Sequence, residues 1–156
     1  MDAERLVGMS LRALATSADA LGVLAEAWQA QALVRAIGDQ LALRGPPELT
    51  AEARELGETG GRGCGSAEHP VVRVMGVRAG RLSTVSDAAG ALTALTVLLR
   101  EVGIMLVEVA CETDEEALYW QCMEAIDAAD ESSRQVAGTL SKLTSRGWGR
   151  ERDGSS

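Results

Sequence analysis

The sequence predicts an all-α protein, a compact antiparallel bundle of about four helices with a glycine-rich loop between the N- and C-terminal helix pairs. Three observations carry that expectation. Apolar residues recur at spacings of three and four along most of the chain, the pattern of helices with one buried face. Residues able to cap a helix stand where those stretches begin, and Gly and Pro stand where one of them stops. Aromatic residues make up only 3% of the chain, with no Phe, one Tyr and three Trp. The core is left to Leu, Val, Ala, Met and Ile, which suit closely packed helices better than a sheet.

The elements follow in order. Asp2 is placed to cap a first helix running to about Thr16, with Leu6, Met9, Ala13 and Leu14 as its apolar stripe. Ser17 or Asp19 offers a second cap, and a helix from there reaches about Leu43. Arg44, Gly45 and Pro46-Pro47 end it. Two separate helices and one kinked rod both satisfy this stretch. Pro47 to Leu56 reads as a short helix. Residues 57–70, holding Gly57, Gly60, Gly61, Gly63 and Gly65 among polar neighbours, read as a flexible loop. Residues 71–81 read as an irregular or weakly helical connector, because their valines favour a strand that would have no partner.

A third long helix is expected from about Thr84 to Cys111, capped by Ser83. At 100° per residue it is apolar over most of its circumference, with a narrow polar wedge of Glu101, Glu108 and Glu112. Such a helix is expected at the centre of a bundle. The fourth begins with Thr113-Asp114-Glu115-Glu116, which fits a capping box in which Thr113 caps the Glu116 amide. It runs to about Ser145 with a seam of Leu118, Cys122, Ala125, Ala129, Val136, Leu140 and Leu143. Residues 1–146 are read as one domain, and residues 147–156 as a disordered Gly-, Arg- and Ser-rich tail.

Glu26-Ala27-Trp28-Gln29-Ala30-Gln31-Ala32-Leu33, the turn Gly45-Pro46-Pro47-Glu48-Leu49, and the run from Asp114 to Cys122 continued by Ala125-Ile126-Asp127-Ala128-Ala129-Asp130 resemble an uncharacterised actinobacterial helical family. The resemblance covers most of the chain apart from the glycine loop and the tail. It implies a GC-rich bacterial origin, in line with basic residues that are nearly all Arg, and it implies no activity.

Composition narrows the function classes. The net charge is −8 and the pI about 4.7, so no nucleic-acid partner and no anionic membrane surface is expected. The most apolar stretch, from Ala91 to Ala110, carries Arg100, Glu101 and Glu108, which argues against a membrane span. The start of the chain lacks the pattern of a signal peptide. Cys64, Cys111 and Cys122 are an odd number without ligand spacing, so neither a disulfide framework nor a zinc site is expected. A reduced, cytoplasmic protein without a cofactor is the resulting expectation.

The strongest functional signal lies on the fourth helix. Trp120 falls about 200° round from Leu118, away from the seam and between Glu116 and Glu124. A large aromatic on a polar face is more informative than one in a core, and Trp and Tyr are enriched where proteins bind one another. Tyr119, Trp120 and Met123, with Glu124 and Asp127 beside them, are the candidate binding residues, for a protein partner or a second copy of the chain. The plainer reading buries Trp120 in the core.

From Glu101 to Glu131 the acids Glu108, Glu112, Asp114, Glu115, Glu116, Glu124, Asp127 and Asp130 follow with no Lys or Arg between them. Glu112-x-x-Glu115 and Glu124-x-x-Asp127 are superficially similar to the paired motifs of metal-dependent all-α nucleotide hydrolases, the alternative function, with Glu124 and Asp127 as ligands. Thr113 as a cap would split the first pair across a turn, and the remaining acids would point away from Glu101 and Glu108. A solvated face, or a docking face for a basic partner, needs no such convergence. Trp28 continues a Leu21–Leu24–Trp28–Ala32 stripe and reads as core, with Gln29 and Gln31 on the flanking surface. His69 and Cys64 sit in the glycine-rich region, where a preorganised catalytic pair is not expected. That region also lacks the Gly-Lys-Ser/Thr ending of a phosphate loop. Arg62, Arg73, Arg78 and Arg81 make a locally basic connector suited to lie against an acidic face of the same chain or another. A cargo or regulatory role in secretion or signalling has no specific support.

Overall fold

The computed structural model describes residues 1–17, 19–64 and 77–154, with side chains as far as 145. It is all-helical over these residues. Five α-helices pack together: α1 (Ala3–Ala15), α2 (Ala20–Arg44), α3 (Thr50–Gly63), α4 (Ala88–Glu112) and α5 (Glu116–Gly154). Short 3-10 segments at Pro47–Leu49 and Arg78–Arg81 join them. Among the described residues no helix is long and apolar enough to cross a membrane.

The first two helices are separate. Asp2 accepts a hydrogen bond from the Glu4 amide, and Asp19 from the Gly22 amide, so each helix has its own cap. α1 buries Ala3, Leu6, Val7, Ser10 and Leu14, a stripe at helical spacing. Its start is tied to the segment before α4: the Ala3 amide donates to the Thr84 carbonyl, and Asp2 accepts from both the amide and the hydroxyl of Ser86.

α3 corrects the expected loop. The helix does not stop near Leu56 but continues through Gly57, Gly60 and Gly61 to Gly63. The glycines are there for proximity. A Cβ on Gly60 would lie 2.5 Å from the Arg35 backbone nitrogen, and a Cβ on Gly38 would lie 2.4 Å from the Gly57 nitrogen. Real Cβ atoms do not come that near, so α2 and α3 meet at a separation only glycine permits. Glycine costs a helix about 1 kcal/mol relative to alanine; the close contact of two backbones offsets it. The remainder of the expected loop, and the connector through residue 76, lie outside the described residues.

α2, not the third predicted helix, is the central one. It touches each of the other four helices, and its buried residues fall all round it: Val23, Leu24, Glu26, Gln29, Ala30, Gln31, Leu33, Val34, Ile37 and Leu41 among them. Gln29 and Gln31, expected at the surface, are 1% and 3% exposed. Each is there because it has a partner. Gln29 Oε1 accepts from the Arg78 amide at 2.9 Å, and Gln31 Oε1 accepts from the Ser132 hydroxyl of α5 at 2.7 Å. Glu26 is buried too, and its carboxylate accepts from the Arg78 guanidinium, which also donates to Ser10. Burial pulls that guanidinium below its ordinary pKa, with the charge of Arg81 acting in the same direction.

α4 begins at Ala88 rather than Thr84, with Asp87 capping the Gly90 amide. It buries Ala91, Leu92, Leu95, Leu98, Leu99, Val102 and Leu106, packs Ala94, Met105 and Val109 against the core beside them, and leaves Ile104 and Val107 exposed. α5 begins at Glu116. Thr113 accepts from the Glu115 amide instead of closing a capping box on Glu116, and the Glu115 carbonyl takes the first helical bond, from Tyr119. The seam on α5 buries Cys122, Ala129, Ser132, Val136 and Thr139, with Leu118, Ala125, Leu140 and Leu143 packed against the core beside them. The backbone helix runs on to Gly154, past Gly147 where the sequence places the start of the tail.

Candidate functional site

The side of α5 opposite its seam is open to solvent. Trp120 is 58% exposed and Tyr119 39%. Their rings meet edge to face, centroids 5.3 Å apart at 79°, a favoured aromatic geometry that holds both in place. Met123 is half-buried, while Glu124 and Asp127 are exposed. By helical spacing Trp120, Glu124, Asp127 and Glu131 share one stripe, and Tyr119, Met123, Ile126 and Asp130 share the next. All five candidate residues thus fall within about two and a half turns of one helix and on adjoining stripes.

Beside them is a feature that sequence reasoning missed. The outer faces of α4 and α5 enclose a groove of about 600 Å³, lined by Leu99, Gly103, Ile104, Val107 and Ile126, with Arg100, Glu108, Asp130 and Ser133 also on its wall. Ile104 is 49% exposed and Val107 48%. Reading α4 as a central helix hid them. The signal was in the polar wedge itself: Ile104 stands one turn after Glu101 and one turn before Glu108, so it lies on the solvent side by the same spacing that puts the glutamates there.

The acids do not converge. Among the described residues no group of three or more His, Cys, Asp or Glu side chains is placed to hold a metal. Glu131 is engaged by Arg62 at 2.9 Å, so one arginine of the basic region meets the acidic face within the chain. Arg78 goes instead to Glu26, and Arg73 lies outside the described residues. A second cavity of about 310 Å³ opens at the end of the bundle, where Asp19, Glu108, Glu112 and Thr113 meet Val23, Met105 and Leu118.

Trp28 is half-buried and packs against the core. It also lines a cavity of about 320 Å³ with Ala32, Arg35, Ala36, Cys64, Val77 and Ala79. Burial pushes the Cys64 thiol up to about 11, against a smaller opposing effect of the Arg35 charge, and the Sγ lies 3.8 Å from the Trp28 carbonyl. A thiol so placed stays protonated near neutral pH and is no nucleophile. His69 lies outside the described residues, and with it the Cys64–His69 pair.

No curated protein and no solved structure matches the chain. A family of unknown function, DUF6099, matches residues 1–142, which takes in every helix up to the last turns of α5. The chain belongs to that family.

Proposed function

We propose that this chain is a non-enzymatic, cytoplasmic interaction protein of actinobacterial origin, and that it binds another protein through Tyr119, Trp120 and Met123 and the acids Glu124 and Asp127. The observation that carries the reading is the exposure of Trp120, more than half of it in water and set edge to face against Tyr119. Leaving so much aromatic surface wet forgoes about 1.5–3 kcal/mol of burial energy. A partner that covers the pair recovers it, and Trp and Tyr commonly dominate such contacts. Ile104 and Val107 on α4 add further exposed apolar surface. Metal-dependent nucleotide hydrolysis through Glu124 and Asp127 needs further ligands near them, and no described side chain supplies a set.

The test is site-specific crosslinking in the native host. A photoreactive phenylalanine at position 120 is expected to give a discrete protein adduct, and the same group at the exposed Glu58 on α3 is expected to give none. Adducts that are equal at both positions, or absent at 120, would sink the interaction reading.

A further inference from the structure

The groove between α4 and α5 has the dimensions and the charge of a seat for one kind of partner. The lining runs from Ile126 to Ser133 on α5 and from Leu99 to Glu108 on α4, about 10 Å and about 14 Å at 1.5 Å per residue. About two turns of an α-helix fill that length. Two antiparallel helices leave between them the furrow into which a third helix lays its ridge of side chains, and apolar helices bound in such grooves anchor by residues at i, i+3 or i+4, and i+7. The floor is open where such a ridge would enter. Gly103 lies in it, and a Cβ there would meet nothing within 4 Å.

Charge decides what kind of helix fits. Between Glu101 and Asp130 the two walls and their joining turn carry acids and no Lys, Arg or His. Glu108 and Asp130 lie on the groove wall itself, one on each helix. Among the described residues Arg100 is the one cation that lines the groove, and it approaches Glu101 at 3.9 Å. A second copy seated on this face by two-fold symmetry would press the same acids against themselves, and like charges brought together oppose binding. A partner with Lys or Arg on either side of an apolar ridge meets one acid on each wall, Glu108 and Asp130.

We propose that the α4–α5 groove binds a basic amphipathic helix of another protein, with apolar anchors on Ile104, Val107 and Ile126 and cationic flanks against Glu108 and Asp130. This rests on the interaction reading above and names its partner by chemistry.

The test uses the full chain and three fluorescein-labelled peptides of about 14 residues. One is a Leu/Lys peptide with its leucines at i, i+3, i+4 and i+7. The second is its scrambled isomer, equal in charge but without a seam. The third is the same seam built with Glu in place of Lys. Anisotropy is expected to rise with the first peptide alone, and the affinity to fall with added salt because the flanking charges are exposed. Gly103→Leu, which fills the floor where the fold has open space, and Ile104→Lys, which sets a cation in it, are each expected to weaken binding about tenfold or more. Gly103→Leu is expected to keep the parent melting temperature, so its loss of binding is not loss of fold. Equal binding of the scrambled peptide, undiminished binding by Gly103→Leu, or a dimer in solution that Gly103→Leu dissolves would each overturn the proposal. If no peptide binds while the adduct at position 120 persists, the basic helix is refuted and the interaction reading stands. Loss of both refutes both.

Discussion

α2 and α4 are each 25 residues long, and their places in the fold are the reverse of what their apolarity suggests. α4 is the more apolar helix, and it keeps one face in water with Ile104 and Val107 about half exposed. α2 carries Glu26, Gln29 and Gln31, and buries all three. Position was decided by how closely neighbours can approach and by whether polar groups find partners. Gly38 lets α3 come to backbone contact with α2, and Arg78 and Ser132 satisfy the polar side chains that α2 takes inside. A buried polar group with its partner costs little, whereas the same group alone costs about 1–3 kcal/mol. Among the described residues the apolar surplus of α4 has no equivalent partner, and this is why the groove it lines is the place to look for one outside.

The largest test of this contrast removes a partner from α2. Arg78→Met leaves the Glu26 carboxylate buried without its cation. Breaking a buried pair from one side costs about 3–5 kcal/mol, and the urea midpoint should fall accordingly. Ile104→Ser on α4 is expected to change stability by no more than about 1 kcal/mol, because that side chain is half exposed already. Similar losses for the two variants would mean that α2 and α4 are not so differently placed.

A single substitution then separates the two kinds of glycine. Gly60→Ala puts a Cβ against the Arg35 and Gln31 backbone and should destabilise by about 1–3 kcal/mol, despite alanine's better helix propensity. Gly103→Ala puts a Cβ into open space and should stabilise by about 0.5–1 kcal/mol. Thermal melting of the two variants reads the opposite signs directly. Two shifts of the same sign would contradict the close α2–α3 contact.

The smallest effect is chemical. Burial raises the pKa of the Cys64 thiol, to about 11, and raises that of Cys122 as well. At about pH 8 both remain protonated, below their raised values, so neither presents much thiolate to an alkylating reagent. Cys111, exposed at the end of α4, is expected to be alkylated first in native protein, and the other two only on unfolding. Fast labelling of Cys64 under native conditions would show that the end of α3 opens readily.

Much of the helical layout was legible because it is local. Asp2 and Asp19 cap the helices that follow them, Pro46-Pro47 bounds α2, and the Leu118–Leu143 stripe is the seam of α5, all from residues a few positions apart. The angle of Trp120 to that seam left exposure and burial both open, and the fold exposes it. Gly57 to Gly63 were misread because glycine marks a loop by its freedom and a close helix pair by its size, and the chain alone does not distinguish the two. The exposed apolar row on α4 was missed for a related reason. Hydropathy records what a side chain would gain from burial, not whether the fold has room to bury it.

The sequence by itself determined an acidic all-helical protein, where most of its helices start, and which residues stand off the α5 seam, because capping and periodicity act over a turn or two. Only the tertiary structure decided that α2 is the central helix, that glycines weld α3 to it, and that α4 and α5 leave an apolar groove with an acid on each wall. Those outcomes depend on contacts between residues tens of positions apart, such as Gln31 with Ser132 and Glu26 with Arg78, whose distances are set by the packing of whole helices.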